Sequence, residues 1–311
     1  SSDVCSSDLM KGIRSLHARR NSQVRIEVQV RDGRGDDQTT WRYALALESE
    51  GKEQRVRVAE EVVERNGERL IDRPSHEDRN DRERLTQTHL EQISANQEFR
   101  ELANFLAGTT YLHLVPQLLK HADEISGNVL EQDPFGQGLM QRIAATSKKI
   151  RDARLRRIER TLKPAIPQFS RLEFNQDKVT GKWHLEANFS HWRPQGAWQR
   201  EDQLSDGTLR LIGLLWALQD GHDLLLLEEP ELSLNDAIVE RIPLLIDRIM
   251  RNLKKDRQIV VSTHSEALLH KISDATLLVI EPGVNGSNIR SPTEDEIDQM
   301  EGGLTPAEVL L

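Results

Sequence analysis

The feature that most constrains the fold is an uninterrupted run of four leucines at 224–227, followed directly by Glu228, Glu229 and Pro230. Four residues are too few to span a membrane and show no helical stripe, so the run predicts a strand buried on both faces of a parallel sheet. Pro230 has no N–H group to offer a neighbouring strand and predicts the end of the strand. Because ligands of open parallel sheets bind beyond the carboxyl ends of the strands, the two carboxylates mark the expected site. Successive strand side chains point to opposite faces, so one carboxylate can face a metal while the other faces a water.

A second apolar strand is predicted over residues 258–265, with His264 at its polar end. Between the two strands, Asn235 is a favourable helix N-cap, and residues 236–253 have the apolar periodicity of a helix bent at Pro243. The crossover of such a strand–helix–strand unit leaves its strands parallel, which brings their polar ends to one edge. The glutamate pair and His264 are therefore expected to share one site.

A third motif, Leu-Ser-Asp-Gly-Thr at 204–208, precedes an apolar segment at 209–218 that predicts a buried helix. Ser205 is a natural N-cap, Gly207 is expected to let a ligand approach the backbone, and Gly221 suits the C-terminal end. The free amides at the start of a helix favour an anion.

In this order, the motifs resemble those of the ATP-binding-cassette ATPases. They comprise a Leu-Ser-x-Gly signature, an apolar strand with an acidic pair and proline, a Ser-Leu-Asn-Asp loop at 233–236, and a histidine at a strand end. The resemblance covers about residues 204–282 and is closest to the soluble SMC-, RecF- and OLD-like branch, whose members are often labelled AAA family ATPases. It implies an α/β fold, with a parallel-sheet core of the P-loop ATPase type, an antiparallel β meander and a helical insertion.

The resemblance also implies a chemistry, in which ATP and Mg²⁺ bind between two copies of the protein. Glu228 contacts the Mg²⁺ ion, directly or through a water, at a position where the family usually has aspartate. Glu229 orients or deprotonates the attacking water, and His264 contacts the γ-phosphate. The other nucleotide-binding and interface residues that it implies are Ser205, Asp206, Gly207, Asn235, Asp236 and Gln117.

From the residues alone, each motif has an alternative. The glutamates could be solvated carboxylates at a strand–loop junction, residues 205–208 an ordinary helix cap, and His264 a structural histidine. Gln117 could equally be a surface side chain, and His113 is best interpreted as a packed residue of a short strand. For the whole protein, the alternatives are a degenerate, non-hydrolysing scaffold and the ATPase subunit of a nuclease complex.

The rest of the chain suggests five segments. These are a non-native or disordered leader at 1–9, an antiparallel β subdomain at 10–78, a helical insertion at 79–165, the ATPase core at 166–290 and a tail at 291–311. Apolar residues alternate with period two around 24–30, 41–47 and 56–58, which predicts the meander. We further expect a charged linker at 73–84, helices at 85–106 and 139–162, and strands at 111–115, 171–174, 183–189, 192–198 and 275–281.

The predicted helix at 139–162 is basic, and in the resembling proteins an insertion at this place often contributes to DNA contact. Interleaved Asp152 and Glu159 favour a solvated face instead. The formal net charge of −9 gives no electrostatic argument for general nucleic-acid binding. Cys5 is the only cysteine, which excludes a disulfide framework within the chain. With no transmembrane run or signal-peptide pattern in the sequence, we expect a cytoplasmic protein.

One expected element is missing from the sequence. ATP sites of this type need a Gly-x-x-x-x-Gly-Lys-Ser/Thr phosphate cradle, and no segment matches it. The expectation is therefore that the chain is a fragment truncated at both ends, and that it binds ATP poorly alone. A degenerate relative is the alternative.

Overall fold

A computed structural model describes residues 23–32, 38–50, 55–122, 133–190, 197–221, 224–253, 257–270, 272, 276–283 and 286–311. The chain divides into two compact units. The meander unit comprises Ser1–Ala107 and Ile280–Ile289, and the core unit comprises Gly108–Val279 and Arg290–Leu311. The predicted leader at 1–9 lies outside the described residues, and the five predicted segment boundaries stay predictions.

The meander unit is built on a four-stranded antiparallel sheet of β1 (Gln23–Asp32), β2 (Thr39–Glu50), β3 (Arg55–Arg65) and β4 (Glu68–Arg73), in that order. Each strand pairs with the next, which confirms the meander. Trp41, Tyr43 and Val63 form its buried core with Phe99 and Leu102. The strands β11 (Val279–Gly283) and β12 (Gly286–Arg290) form a separate two-stranded sheet.

The charged linker predicted at 73–84 is wrong. This segment contains helix α1 (His76–Asn80) and the start of a 3-10 helix, Arg82–Thr86. Arg73 is buried, and its guanidinium forms ion pairs with Glu61 (2.8 Å) and Asp78 (2.9 Å). The charge pattern indicated solvation, but these side chains neutralise one another inside the unit.

The helix predicted at 85–106 is wrong over its first half. Residues 87–96 form turns, in which the side chain of Asn96 donates to the carbonyl of Leu90 (2.9 Å). Polar side chains that bond to nearby backbone in this way compete with helix formation. A second 3-10 helix, Gln97–Phe99, leads into α2 (Arg100–Gly108).

Two sheets and nine helices of the core unit lie within its described residues. The first sheet has the parallel strands β5 (Thr110–Leu112), β9 (Leu225–Glu228) and β10 (Ile259–Ser262), in the order β10-β9-β5. The second has the antiparallel strands β6 (Phe169–Gln176), β7 (Trp183–Phe189) and β8 (Ala197–Arg200), in that order. The helices are α3 (Pro116–Lys120), α4 (Leu139–Ala145), α5 (Lys148–Leu162), α6 (Asp206–Ala217), α7 (Asp236–Val239), α8 (Ile242–Leu253), α9 (Glu266–Leu269), α10 (Glu294–Glu301) and α11 (Pro306–Leu310).

The parallel sheet confirms the α/β fold and the parallel strand–helix–strand unit. Leu227 pairs with Val261, and Glu228 pairs with Ser262. Leu225 and Leu227 are buried whereas Leu226 is half-buried, so the expected burial of both faces is found in part. Helix α6 is buried over most of its length, as its apolar sequence predicts.

Other predictions failed only where one element meets the next. Residues 139–162 form two helices, because the extended backbone of Thr146 (ψ 133°) ends α4 there. The helix predicted at 236–253 is interrupted before Pro243, which occupies the first turn of α8, where its missing N–H costs nothing. Likewise, Pro116 begins α3, and the preceding strand ends at Leu112.

Of the later strands, 183–189 is confirmed and 171–174 lies within the longer β6. Residues 191–196 and 273–275 lie outside the described residues, so the predictions at 192–198 and 275–281 are tested only in part. In the described part, no helix combines the length and the apolarity that crossing a lipid bilayer requires.

Candidate functional site

The polar ends of β9 and β10 lie side by side, as the sequence predicted. Glu228 is the last residue of β9 and pairs with Ser262 at the end of β10. The next backbone N–H, that of Glu229, donates to the carbonyl of Ser262 at 3.0 Å. Both strands therefore deliver their polar residues to one edge of the sheet.

At this edge, Glu229 and His264 are in direct contact. The imidazole Nδ1 of His264 lies 2.7 Å from Oε1 of Glu229. The side chains are 73% and 30% exposed, respectively, so a ligand can reach both. A carboxylate beside an imidazole provides a proton acceptor and a hydrogen-bond donor at one place, which suits the activation of a water next to an anion.

The turn that follows β9 fixes Glu229 in an unusual conformation. Its φ is 42°, in the left-handed region that residues with a Cβ rarely adopt, and Ser233 four residues later has φ 66°. The turn is closed by hydrogen bonds from Leu232 N to the Glu229 carbonyl and from Leu234 N to the Glu231 carbonyl. Such conformations persist only where the surroundings enforce them, and they cluster at functional sites.

Glu228 is placed differently from Glu229. Its Oε2 accepts a hydrogen bond from the hydroxyl of Tyr111 on β5 and lies 3.9 Å from Nδ1 of His113. The carboxylate is 44% exposed. The two neighbouring glutamates thus have different partners, as the alternation along a strand predicted.

The carboxylates at this edge bear on the binding of Mg²⁺. In the described part of the chain, no group of three or more acidic, histidine or cysteine side chains could hold a metal ion. Mg²⁺ is commonly bound by one or two carboxylates together with phosphate oxygens and waters. The accessible Glu228 carboxylate fits that arrangement, in which the nucleotide supplies the remaining ligands.

Glu231 is a site residue that the sequence analysis missed. It is buried, and its Oε1 accepts a hydrogen bond from the hydroxyl of Thr263, whose oxygen in turn accepts from Ser265 N (3.0 Å). The bond connects the turn after β9 with the residue immediately before His264. The sequence feature that could have identified Glu231 is that it is the third acidic residue of the Glu-Glu-Pro-Glu run.

Helix α6 begins beside the same turn. Ser205 is the N-cap, as predicted, and its Oγ accepts from Thr208 N at 3.2 Å. A Cβ on Gly207 would lie 2.7 Å from Leu234 Cδ2 and 2.9 Å from the Ser233 carbonyl. The close approach that this glycine permits is therefore to the Ser233–Leu234 segment of its own chain, and its predicted contact with a ligand stays a prediction.

Asp206, the first residue of α6, faces α3. Its carboxylate binds Nζ of Lys120 (2.6 Å) and accepts a hydrogen bond from Nε2 of Gln117 (3.2 Å). Gln117, which the resemblance implied as a nucleotide-binding or interface residue, lies in the first turn of α3. It is thus close to the Leu-Ser-Asp-Gly-Thr motif at 204–208, called the signature segment below. The sequence analysis did not predict Lys120 as a residue of this site.

Arg210 is a second site residue that the sequence analysis missed. It is buried in α6 and donates to the carbonyls of Leu232 (2.8 Å) and Leu114. Burial lowers the pKa of Arg210, which the negative charges of Glu231, Glu229 and Asp206 oppose. The sequence feature that could have identified it is that Arg210 is the single charged residue of the apolar segment at 209–218.

The loop residues Asn235 and Asp236 are exposed at the start of α7. The side-chain oxygen of Asn235 accepts a hydrogen bond from Ile238 N (3.1 Å), which confirms the predicted N-cap. Their carbonyl and carboxylate groups are open to a second molecule.

Most of the chain matches a known protein family. Residues 17–270 match the family described as "AAA domain, putative AbiEii toxin, Type IV TA system". The chain belongs to this AAA-domain family. The match covers the parallel sheet, the signature segment and the Glu229–His264 pair, and it confirms the resemblance to AAA family ATPases.

Solved structures similar to this AAA-domain chain include SMC head domains. An SMC head bound to the C-winged helix domain of ScpA has 16% identity and a TM-score of 0.47, covering 89% of this chain and 76% of that one. The SMC head domain from Thermotoga maritima has 14% identity and a TM-score of 0.43, with coverages of 88% and 75%. No curated protein matches the sequence.

Proposed function

We propose that this AAA-domain protein is an ATPase in which ATP binds between two copies and is hydrolysed at the edge formed by β9 and β10. The observation that carries the proposal is the 2.7 Å contact between Glu229 and His264 at the ends of neighbouring parallel strands. Family membership supports the reaction class, since AAA domains are ATPase domains.

In the proposed mechanism, Glu229 accepts the proton of the attacking water, and its fixed backbone positions the carboxylate. His264 donates a hydrogen bond to the γ-phosphate once it is released from Glu229. Phosphoryl transfer asks little covalent chemistry of the protein, so positioning and charge stabilisation by these two side chains supply most of the effect.

Glu228 is proposed to bind the Mg²⁺ that accompanies ATP, directly or through a water. The ion, when bound, neutralises phosphate charge and makes two adjacent carboxylates beside a triphosphate tolerable. The Tyr111 hydroxyl orients the Glu228 carboxylate for this role. Gln117 can contact the metal and the water only after it leaves Asp206.

The second copy is proposed to contribute its signature segment. Ser205, Asn235 and Asp236 are exposed, which is what an interface around a nucleotide requires. Gly207 is buried, so we assign to it the packing of the Ser233–Leu234 segment and to Ser205 and Asp206 the direct contacts. A composite site of this type couples ATP binding to dimer closure.

The absent phosphate cradle leads to a proposal about the 311-residue chain itself. Without it, we expect weak ATP binding and no turnover unless the missing element is supplied. The alternative that this absence favours is a non-hydrolysing scaffold. A cytoplasmic role in DNA repair, chromosome maintenance or phage defence, with DNA or a nuclease subunit as partner, is compatible with the proposed ATPase.

The test is Glu229→Gln in the protein as its gene encodes it. The amide keeps the size and hydrogen bonding of the side chain but cannot accept the water's proton, so we expect MgATP affinity to change less than about threefold while turnover falls by about 10²-fold or more. Affinity is measured by calorimetry and turnover by phosphate release.

Glu301→Gln is the matched control, because Glu301 is an exposed glutamate at the end of α10. It should leave both measurements unchanged. Turnover retained in Glu229→Gln would remove Glu229 from the role of base. A wild-type protein that binds no MgATP would support the scaffold alternative instead.

A further inference from the structure

A groove of about 680 Å³ lies between α5 and β6, in the core unit. Six consecutive residues of β6, from Arg171 to Gln176, line it. Because successive strand residues point to opposite faces, a groove on one face would be lined by alternate residues. Consecutive lining residues therefore place the groove along the edge of the strand. Among the described strands, β6 lies at one edge of its sheet, whose order is β6-β7-β8.

The groove contains a buried cation that lacks a counter-charge. Arg151 on α5 is only 7% exposed, and its guanidinium packs against the rings of Trp183 (4.7 Å) and Phe174 (5.3 Å). Its Nε is buried without a hydrogen-bond partner, and no carboxylate of the described residues pairs with the side chain. A buried charge without a partner is unfavourable, so the groove is suited to an anionic group that completes it.

The other charges of the groove add to this preference. Lys148 and Arg156 line it and form no ion pairs among the described residues. Of the acidic side chains, Glu159 binds Lys163 (2.7 Å) and Leu172 N (3.3 Å), and Glu173 binds Arg171 (2.8 Å). Among the described residues, Asp152 is therefore the only lining carboxylate without a cationic partner, whereas three lining cations, Arg151, Lys148 and Arg156, have no ion pair.

We propose that this groove binds an extended acidic segment of a partner protein, which pairs with the edge of β6 and places a carboxylate on Arg151. Strand edges offer main-chain hydrogen bonds to an added strand, and pockets for alternate side chains give specificity. The Glu159 carboxylate at Leu172 N already shows that this edge accepts an acidic group.

A nucleic-acid ligand fits the groove less well. Arg151 is too deeply buried for the phosphates of a duplex to reach, whereas the carboxylate of a flexible side chain can reach it.

The test uses the peptide Thr-Glu-Val-Glu-Val-Glu-Thr-amide, labelled with a fluorophore at its N-terminal amine and titrated with the protein. We expect saturable binding and slower amide exchange across residues 172–176. Arg151→Gln should weaken binding about tenfold or more, because a charge-assisted hydrogen bond is lost. Arg156→Gln, at an exposed position, should weaken it severalfold without disturbing the core.

Arg160→Gln is the matched control, since Arg160 lies nine residues from Arg151 on the opposite side of α5. It should leave affinity unchanged, and a peptide with Gln in place of Glu should bind about tenfold more weakly. Equal binding of the Gln peptide, or an unchanged affinity in both Arg151→Gln and Arg156→Gln, would overturn the proposal. So would binding of a 20-base-pair DNA duplex, but not of the peptide, through Arg151.

Discussion

At the residue scale, Gly207 shows that a motif glycine can serve packing within its own chain. A methyl group there would meet the Leu234 side chain and the Ser233 carbonyl closer than real contacts allow. We expect Gly207→Ala to lower the free energy of unfolding by about 1–3 kcal/mol, measured by urea denaturation. It should also displace the loop that carries Asn235.

Gly213→Ala, on the same helix, is the control for this prediction. There the added Cβ would meet the end of the Leu114 side chain at 3.1 Å and make an ordinary contact with Leu139 Cδ2 at 3.6 Å. The gain in helix propensity, about 1 kcal/mol, should offset that contact. Equal destabilisation by both substitutions would refute the special role of Gly207.

The sequence predicted that Glu229 and His264 lie together, but it did not predict the surrounding side chains that hold the candidate site in place. Glu229 and His264 were found because each follows an apolar strand, and parallel strands align their ends. Glu231, Arg210 and Lys120 were missed because their partners are a side chain or carbonyl distant in sequence. No local pattern of residues encodes such pairs.

At the scale of elements, the buried ion pairs of Arg73 join β3, β4 and α1 in the meander unit. Replacing the cation removes the buried counter-charge of Glu61 and leaves Asp78 with only the more exposed Arg84 at 3.4 Å. We expect Arg73→Met to destabilise this unit by about 3–5 kcal/mol, seen as faster amide exchange in β3 and β4. Arg69→Met, which removes an exposed pair with Asp72, should cost less than about 1 kcal/mol.

The same pairs predict how the meander unit responds to acid. The hydrogen bonds from Arg73 lower the pKa of Asp78 below its ordinary value. A lowered pKa in the folded state means that the stabilisation is complete above the unfolded-state pKa, about 3.9, and is lost as the pH falls toward the folded value. Urea midpoints of the wild type should therefore fall below about pH 4. Asp78→Asn should show a shallower fall, and equal slopes would contradict the assignment.

Errors in predicting the elements were concentrated at their junctions. The strands of the meander and most of α5, α6 and α8 follow from periodicity alone. The breaks at Thr146 and before Pro243 do not, because they depend on a few backbone hydrogen bonds and on where a proline falls relative to a helix start. Periodicity reports which face is buried and says little about where a helix ends.

At the scale of the whole molecule, each unit has its own hydrophobic core. The buried clusters of the meander unit contain residues of that unit alone, and so does the large cluster of the core unit. Phe99→Ala, at a fully buried position, should destabilise the meander unit by about 3–5 kcal/mol. Hydrogen exchange should accelerate in β1–β4 and stay unchanged in β9 and β10.

Ile158→Ala is the complementary substitution, because Ile158 is fully buried in the core unit. It should accelerate exchange around α5 and β6 and leave β1–β4 unchanged. Acceleration throughout the chain in both variants would mean that the two units unfold cooperatively, contrary to the prediction.

The position of Arg210 has a mechanical consequence. Its two donors bond to carbonyls on segments that come before and after α6 in the chain; the bond to Leu114 is buried and the bond to Leu232 is partly buried. A translation of the helix along its axis must carry both carbonyls with it or break both bonds at once. Leu114 lies three residues before Gln117, and Leu232 follows Glu231 directly. Displacement of α6 would thus reach both strand ends in concert, as the motion of one rigid body.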